Sequence, residues 1–319
     1  MKYLKKIIPV FLTLAVTAGM LWLVSILTTP KKNMQEAGHD TWAAFGFEAE
    51  PENSIDVFLL GDSESRTSIS PMELFHNDGF TSYCCGVNSS TLCEVSEMAQ
   101  LVLKYHHPKL MILECNVIFS PFTWQDAFEA VSARFFPVVH WHNRWKTLLP
   151  QDFTSLPDYD NVEVRKGYYH SAYINEAPPY MLDRYMQPSE EREPLAGISR
   201  WYLKKIVNDC RKQGVEVLLL SMPSVKNWTS LKHNTCADEA QKLGIPYVDL
   251  NEMTEEVPID WNLDTRDEGD HLNNDGMKKV CRWLGPWLKE TYGLEDHRGD
   301  SAYDKNWTDL YEEYVEWIS

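Results

Sequence analysis

The serine best placed for chemistry is Ser63, which directly follows an apolar run and a tight turn. Residues 55–60 are apolar except for Asp56, and Gly61 and Asp62 lead from them to the serine. Such a run predicts a buried strand that ends in a turn, and chemistry in open α/β sheets lies at the carboxyl ends of strands. The alternative is purely structural, because Asp62 and Ser63 are also favoured caps of a following helix.

A histidine among acids supplies the base that such a serine needs. A serine becomes a useful nucleophile only when a base accepts its proton and a carboxylate orients that base. Of the ten histidines, only His271 lies in such a setting. Its neighbours Asp267 and Glu268 would share a face with it in a helical turn. Asp270 would have to bend back, so the residues alone leave the orienting acid open.

Apolar runs and helical patterns alternate along the chain around these two motifs. The predicted strands are 55–60, 81–87, 110–116, 215–220 and 247–250, and the predicted helices include 90–106, 198–212, 230–243 and 274–292. This alternation predicts an α/β fold, a doubly wound parallel sheet of about five strands with helices on both faces. Ser63 follows the first strand and His271 precedes the last helix, so both are expected at one edge of the sheet.

A long aromatic-rich segment, residues 117–197, interrupts the alternation. A structureless loop of that length is improbable in a compact domain, so we predict a helical insertion or a lid. Its position directly after a strand end favours a lid or a binding wall. His140 and His142 flank Trp141, but residues two apart diverge on a helix and point to opposite sides of a strand. We therefore predict packing for this pair and not metal binding.

The first residues of the chain predict a membrane anchor. Residues 7–27 carry no charge and are almost wholly apolar, which is the length that a bilayer-spanning helix needs. Lys2, Lys5 and Lys6 precede the run, which favours a cytoplasmic N-terminus and an extracytoplasmic C-terminal domain in a single-pass cell-membrane protein. A cleaved signal peptide is the competing interpretation, but it expects a shorter apolar core and a small-residue cleavage site.

Four segments follow from these patterns. Residues 1–29 form the anchor, 30–53 a linker, and 54–294 the α/β domain with its insertion at about 117–197. Residues 295–319 end the chain as an amphipathic helix whose apolar side chains form one stripe. That helix either docks onto the domain or binds a partner.

Charge and cysteine usage exclude several classes of protein. The first 32 residues hold five lysines and no acid, so the remainder carries 25 basic and 47 acidic side chains, a formal charge of −22. Such a domain repels phosphate backbones, so we expect no nucleic-acid partner. The seven cysteines form no C-x-x-C pair and no zinc-type spacing with histidine. We therefore predict no metal centre, no cofactor and no disulfide scaffold.

The Gly-Asp-Ser sequence that ends at Ser63 and the Asp-x-x-x-His-Leu-Asn sequence that contains His271 together resemble the SGNH, or GDSL-type, hydrolase superfamily. With its single N-terminal anchor, the chain is similar to the membrane-anchored extracytoplasmic branch, which includes the DltD protein and partner proteins of polysaccharide O-acetylation. The resemblance spans about residues 55–292. It implies a flavodoxin-like three-layer fold, with Ser63 as the nucleophile and His271 as the general base.

The resemblance also implies an oxyanion hole. Its donors would be the backbone N–H of Ser63, the side-chain amide of Asn116 and a backbone N–H that a glycine supplies in the family. That third position is Ser89 in this chain, with Gly86 as an alternative. The donor chemistry survives the replacement, because Ser89 keeps its backbone N–H.

The third member of the resembled triad is an acid that usually lies three residues before the histidine. Glu268 occupies that position. We favour Asp267 over Glu268 and Asp270, because Glu268 and Gly269 can form a small excursion and a shorter carboxylate orients an imidazole more rigidly.

These features predict an extracytoplasmic serine acyl-ester hydrolase or O-acyltransferase that acts on cell-envelope polymers through an acyl-serine intermediate. Expected partners are the bilayer at residues 7–27, an acylated envelope polymer or acyl carrier, and a multi-span membrane O-acyltransferase. The alternative is a degenerate relative that binds such an acyltransferase without turnover, since residues 114–117 keep only the asparagine of the family's Gly-x-Asn-Asp block. A secreted esterase of small soluble esters is a third reading of the same motifs.

Overall fold

The computed structural model describes residues 4–318, with side chains from Lys6 onward. Lys2 and the side chain of Lys5, on which the predicted orientation partly rests, lie outside this description. The described residues form two compact units, one from 4–42 with 123–161 and one from 43–122 with 162–318. The α-helices are α1 (Leu4–Thr28), α2 (Trp42–Phe45), α3 (Ser63–Ser68), α4 (Pro71–Asp78), α5 (Leu92–Tyr105), α6 (Trp124–Phe135), α7 (Pro179–Leu182), α8 (Gly197–Lys212), α9 (Ser230–Leu243), α10 (Asn274–Tyr292), α11 (Ser301–Tyr303) and α12 (Leu310–Ile318).

The second unit is built on one parallel sheet. Its strands are β1 (Val57–Leu60), β2 (Ser82–Cys84), β3 (Leu110–Glu114), β4 (Glu216–Ser221) and β5 (Tyr247–Asp249). Their order across the sheet is β2-β1-β3-β4-β5, and each neighbouring pair is parallel. Every residue of β1 and β3 is buried, as expected for strands that helices cover on both faces. The predicted doubly wound, flavodoxin-like fold is confirmed.

Local sequence signals set the ends of the helices that flank the sheet. α9 and α10 have the boundaries that the apolar periodicity predicts. The Thr229 and Asn273 side chains accept hydrogen bonds from the first turns of these helices, which satisfies amide groups that lack a partner within the helix. Gly244 and Gly293 end the same helices in the left-handed conformation, with φ of 62° and 58°.

The predicted linker, residues 30–53, is shorter in the structure than in the sequence analysis. Residues 43–53 belong to the second unit. Phe47 is fully buried there and contacts the ring of Phe58 on β1 edge-on, with ring centroids 5.5 Å apart. Burying this aromatic side chain removes a large apolar area from water and so helps to join the segment to the core.

The C-terminal segment docks onto the second unit. It consists of α11, a π-helical turn (Asp304–Thr308) and α12. Trp307 packs against Phe75 of α4, with ring centroids 5.1 Å apart, and both side chains are buried. The Tyr314 hydroxyl lies 2.8 Å from the hydroxyl of Ser70. Its apolar stripe is thus covered by the chain's own core.

Part of the predicted insertion forms a unit with the N-terminal helix. Residues 123–161 contribute α6 and three 3₁₀ turns to the first unit. Arg144 is buried and donates from Nη1 to the carbonyl of Thr28, at the end of α1, at 2.8 Å. Its Nη2 lies 2.8 Å from Oδ2 of the buried Asp152. This one arginine ties the segment to the last turn of α1, whose carbonyl groups lack helical partners.

The remainder of the predicted insertion, residues 162–197, lies in the second unit. Lys166 is fully buried, and its Nζ lies 2.6 Å from Oε1 of Glu50. The backbone of Lys166 also accepts a hydrogen bond from Cys84 N on β2, at 2.9 Å. The aromatic-rich stretch therefore contributes to both units, and the periodicity of its sequence does not show where the boundary between the two parts lies.

Candidate active site

Ser63 lies at the first position of α3, directly beyond the carboxyl end of β1. Gly61 passes so close to β3 that a Cβ there would lie 2.5 Å from the Cβ of Glu114, so the turn needs a glycine. Asp62 Oδ1 accepts a hydrogen bond from Glu64 N at 3.0 Å and caps α3. The capping interpretation and the chemical one are therefore compatible, because Asp62 makes the cap and leaves the Ser63 hydroxyl free to face His271.

Three side chains form a continuous hydrogen-bonded chain at this edge of the sheet. Ser63 Oγ lies 2.8 Å from His271 Nε2, and His271 Nδ1 lies 2.7 Å from Asp267 Oδ2. The backbone N–H of His271 also donates to Asp267 Oδ1 at 2.7 Å. The carboxylate thus holds the residue at two points, which fixes the ring so that Nε2 faces the serine.

The loop between the acid and the histidine explains why Asp267 reaches the imidazole. Thr265 and Leu272 form an isolated antiparallel bridge that closes the loop at its base. Glu268 and Gly269 both adopt left-handed backbone conformations, with φ of 63° and 85°. This excursion brings Asp267 back over His271, as the favoured interpretation expected, and turns the Glu268 backbone N–H to the carbonyl of Asn175.

Asp270 approaches the same ring but is held by other groups. Its Oδ1 lies 3.8 Å from His271 Nδ1, beyond hydrogen-bonding distance. The same oxygen accepts a hydrogen bond from the Asn227 amide, and Oδ2 lies 3.3 Å from Nζ of Lys226. Among the three candidate acids, the structure brings only Asp267 into the chain of hydrogen bonds.

The environment of Asp267 favours its charged form. Burial raises the pKa of Asp267, but the hydrogen bonds and positive charge of His271 outweigh burial, so the pKa lies below the ordinary value. An ionised Asp267 at neutral pH is what an imidazole needs in order to accept a proton at Nε2.

Asn116, the predicted side-chain donor of the oxyanion hole, lies just past the carboxyl end of β3. Its Nδ2 donates to Asp62 Oδ2 at 3.1 Å, and its Oδ1 accepts from Lys232 Nζ at 2.8 Å. The lysine fixes the amide orientation, because only an oxygen can accept from an ammonium group. It also places a positive charge behind the amide. Lys232 escaped the sequence analysis, since nothing in its local pattern on α9 sets it apart.

The two candidates for the third donor lie in different settings. A Cβ on Gly86 would lie 2.6 Å from the carbonyl oxygen of Asp62 and 2.3 Å from Ser65 Oγ, so Gly86 packs directly against the turn that carries Ser63. Ser89 is exposed and has a φ of 57°, a conformation that glycine adopts more readily. The role of either backbone N–H stays a prediction.

A cluster of buried carboxyl groups lies beside the serine, and sequence reasoning missed it. Asp62, Glu64 and Glu114 are all buried, with carboxylate oxygens within 4.8 Å of one another. Burial raises the pKa of all three, and the charge of Asp62 raises those of the two glutamates further. Like charges this close do not all ionise, so the cluster retains protons. Acids at the ends of two apolar strands are the signal that could have found it.

Two groups of acidic side chains are close enough together to be considered as metal sites. In the buried cluster every carboxyl oxygen except Glu64 Oε2 already accepts a protein hydrogen bond. Glu114 accepts from the backbone amides of Asn116 and Val117. The second group consists of Asp267, Asp270 and His271, and it is committed to the serine and to the contacts described above. We assign neither group a metal.

No protein-family model matches the chain, and no curated protein is found as a relative. Solved structures to which it is similar include the lipase/acylhydrolase from Enterococcus faecalis, at 10% identity and a TM-score of 0.40, covering 76% of this chain and 98% of that one. A GDSL-like lipase from Bacteroides thetaiotaomicron VPI-5482 shares 10% identity with a TM-score of 0.37, covering 74% and 88%.

The acetyl xylan esterase AlAXEase shares 11% identity with a TM-score of 0.38, covering 73% of this chain and 100% of its own. The descriptions of these proteins name them as a lipase/acylhydrolase, a GDSL-like lipase and an acetyl xylan esterase.

Proposed function

We propose that this protein is a serine acyl-ester hydrolase or O-acyltransferase that works through an acyl-serine intermediate. The observation that carries the proposal is the hydrogen-bonded chain from Ser63 through His271 to Asp267, with distances of 2.8 and 2.7 Å. A serine, an imidazole and a partly buried carboxylate, hydrogen-bonded in this order, activate the serine hydroxyl for attack on an acyl carbon.

The reaction has two halves. Ser63 Oγ attacks the acyl carbon while His271 Nε2 accepts the hydroxyl proton, and the tetrahedral intermediate collapses as the imidazolium returns that proton to the leaving alcohol. In the second half a water molecule or an acceptor hydroxyl loses its proton to His271 and attacks the acyl-serine. Ser63 regains the proton and the acid or the new ester leaves. Asp267 stabilises the imidazolium in both halves.

Two groups of this site are suited to stabilise the oxyanion. The backbone N–H of Ser63 lies at the N-terminus of α3, where amide groups lack helical partners. The Asn116 amide offers a second donor, and Lys232 adds positive charge behind it at 2.8 Å. Fixed donors of this kind act where charge develops in the transition state.

The cellular setting is part of the proposal. α1 contains one span, Lys6–Thr28, whose length and composition would allow it to cross a membrane. With the N-terminal lysines on the cytoplasmic side, the catalytic unit would lie outside the cytoplasm. Its substrates would then be acylated envelope polymers or an acyl carrier, and a multi-span membrane O-acyltransferase is the partner that would supply the acyl group.

Covalent labelling tests the proposal directly. The full chain in detergent micelles is treated with a fluorescent fluorophosphonate and, in parallel, with 4-nitrophenyl hexanoate. We expect wild type to be labelled and to hydrolyse the ester, and Ser63→Ala and His271→Ala to do neither. Ser132→Ala, on α6 in the first unit, serves as the matched control and retains both activities.

An unlabelled, folded wild type, measured beside a serine esterase that does react, would overturn the catalytic proposal. It would favour instead the non-catalytic binding partner, which ignores serine-reactive reagents. Retention of labelling in Ser63→Ala would place the nucleophile elsewhere in the chain.

A further inference from the structure

Two arginines contact one tyrosine ring beside the catalytic serine. The Cζ atoms of Arg66 and Arg266 lie 5.0 and 4.7 Å from the centre of the Tyr169 ring. Arg66 follows Ser63 by three residues on α3, so the two side chains emerge from the same side of that helix. Arg266 directly precedes Asp267. Arg266 thus adjoins the acid of the hydrogen-bonded chain, and Arg66 lies one helical turn from its serine.

The positive charge of this pair is poorly compensated within the described part of the chain. Arg66 makes no side-chain hydrogen bond or ion pair there, and the Nε atoms of both arginines are buried without an acceptor. Arg266 Nε lies 3.5 Å from Asp267 Oδ2, but that carboxylate already binds His271. Guanidinium groups carry five donors each, and buried donors are rarely left unpaired.

We propose that Arg66 and Arg266 form a subsite for an anionic group, a carboxylate or a phosphate, on the acyl donor or the acceptor. This inference rests on the proposed function. Cation–π attraction holds both guanidinium groups at the Tyr169 ring. Their forked donors match the oxygens of such an anion. The pair is distinctive because the whole chain carries a net charge of −17, which otherwise repels anions.

Paired substrates that differ only in charge test the subsite. For the donor, kcat/KM is compared between mono-4-nitrophenyl adipate and 4-nitrophenyl hexanoate. For the acceptor, acyl transfer is compared between glycerol 3-phosphate and glycerol. We expect wild type to prefer the anionic member in at least one pair. Arg66→Gln and Arg266→Gln should each lower that preference about tenfold, with partial retention in Arg66→Lys. Arg192→Gln, whose arginine is exposed and paired with Asp238, is the matched control.

Two results would overturn the subsite if wild type still hydrolyses 4-nitrophenyl hexanoate. One is that wild type prefers the anionic member in neither substrate pair, and the other is that both glutamine variants keep the wild-type preference. A wild type that fluorophosphonate does not label would instead overturn the proposed function. The two failures are therefore distinguishable.

A second, independent observation concerns the first unit, where α6 exposes an apolar stripe. Phe128 and Phe135 are 71% and 67% exposed, and Trp124 and Val131 belong to the same stripe. These residues are spaced by four, three and four positions, which places them on one face of a helix. Three further large apolar side chains of the same unit are exposed, namely Trp145, Phe153 and Leu156. So dense an exposed apolar surface is unusual unless something covers it.

The attachment of this segment to α1 indicates what covers it. Val138 N donates to Ser25 Oγ at 3.1 Å, and Arg144 contacts the carbonyl of Thr28 at 2.8 Å. Both contacts fall in the last turn of α1, which rises about 38 Å over its length, against a hydrocarbon layer about 30 Å thick. A bilayer-spanning α1 therefore places residues 123–161 at the level of the lipid headgroups.

We infer that α6 lies in the membrane interface, with Phe128 and Phe135 inserted among the lipids. Aromatic side chains are favoured at this depth, and an amphipathic helix there buries its apolar face at the boundary of the acyl chains. α1 also exposes large apolar side chains, from Ile7 to Val24, so a single solvent, lipid, accounts for both.

Site-specific fluorescence tests the membrane contact in the full chain, reconstituted in phosphatidylcholine vesicles. All seven native cysteines are buried, so an introduced cysteine is labelled selectively with a polarity-sensitive dye. We expect dyes at Phe128→Cys and Phe135→Cys to be quenched by lipids spin-labelled near the headgroup and protected from aqueous iodide. Glu129→Cys, on the polar side of the same helix, is the matched control and stays accessible to iodide.

Equal iodide quenching at Phe128 and Glu129 would overturn the inference. So would protection from iodide without quenching by the lipid spin label, because that result would mean that a protein partner or a second copy covers the stripe. The use of two positions guards against the failure of one variant to fold.

Discussion

The aromatic side chains around the sheet of the second unit are buried, whereas those of α6 in the first unit are exposed. In the second unit Phe47, Phe58 and Tyr83 are fully buried around the sheet, and the polar groups converge on one edge, where Ser63 meets His271. In the first unit the large aromatic side chains of α6 are exposed in a stripe. The same residue types thus stabilise a core in one unit and form a surface in the other, so the structural role of an aromatic residue depends on what surrounds it.

The largest expected effect concerns the chemistry of the second unit. Asp267→Asn should lower kcat/KM for 4-nitrophenyl hexanoate by about 10³-fold or more, because the neutral amide no longer favours the imidazole tautomer that accepts the serine proton. Glu268→Gln is the matched control and should leave kcat/KM within about twofold, since Glu268 is exposed and its side chain makes no hydrogen bond or ion pair with His271 in the described part of the chain. A comparable loss in both variants would contradict the assignment of the acid.

A pair of phenylalanines tests the contrast between core and surface. Phe47→Ala should lower the free energy of unfolding by about 3–5 kcal/mol, because it leaves a cavity in the core. Phe128→Ala should change it by less than about 0.5 kcal/mol. Urea unfolding of the full chain in detergent measures both. Similar losses would mean that α6 is packed against protein and not against lipid.

Replacing Lys232 should have a smaller effect on activity than replacing Asp267. Lys232→Met should lower kcat about tenfold and leave KM nearly unchanged, because the Asn116 amide loses the partner that orients it and the charge behind the oxyanion. Lys232→Arg should restore part of kcat. Lys242→Met, on the same helix, removes an exposed lysine that pairs with Glu239, which Arg200 also contacts, and is the control. A change in KM alone would contradict a positioning role.

The buried acids predict a pH dependence of stability. Burial raises the pKa of Glu64 above its unfolded value of about 4.3. Its contribution to stability is therefore complete below that pH and is lost as the pH rises through the folded-state pKa. Glu64→Gln keeps an acceptor for the Asn227 amide and should show a smaller fall in unfolding free energy between about pH 5 and 8.

The control for this measurement is Glu256→Gln, at an exposed position. It should follow the wild-type profile. If Glu64→Gln also follows it, the proton retained by the carboxyl cluster does not reside on Glu64.

The sequence predicts the strands and helices well wherever local signals are strong. The runs that became β1 and β3 are almost wholly apolar, which was enough to place both strands, although each strand is two residues shorter than its predicted run. α9 and α10 carry both caps and periodicity, so their boundaries needed no tertiary information. The segment 117–197 was different. Its aromatic side chains show no single period, and the buried Arg144 that ties part of it to α1 acts across more than 100 positions of sequence.

The sequence by itself determined the α/β class, the apolar N-terminal helix and the candidacy of Ser63 and His271, because each depends on residue type and near neighbours. The candidacy of Asn116 came from the family resemblance. Only the tertiary structure decided that Asp267 orients His271, that Lys232 orients Asn116 and that Arg66 lies with Arg266 on one tyrosine ring. These contacts join residues from separate elements through side-chain geometry, and distance along the chain carries no information about them. The exposure of the α6 stripe was likewise decided by the tertiary structure. Apolar periodicity shows that a helix has an apolar face, but it does not show whether protein or lipid covers that face.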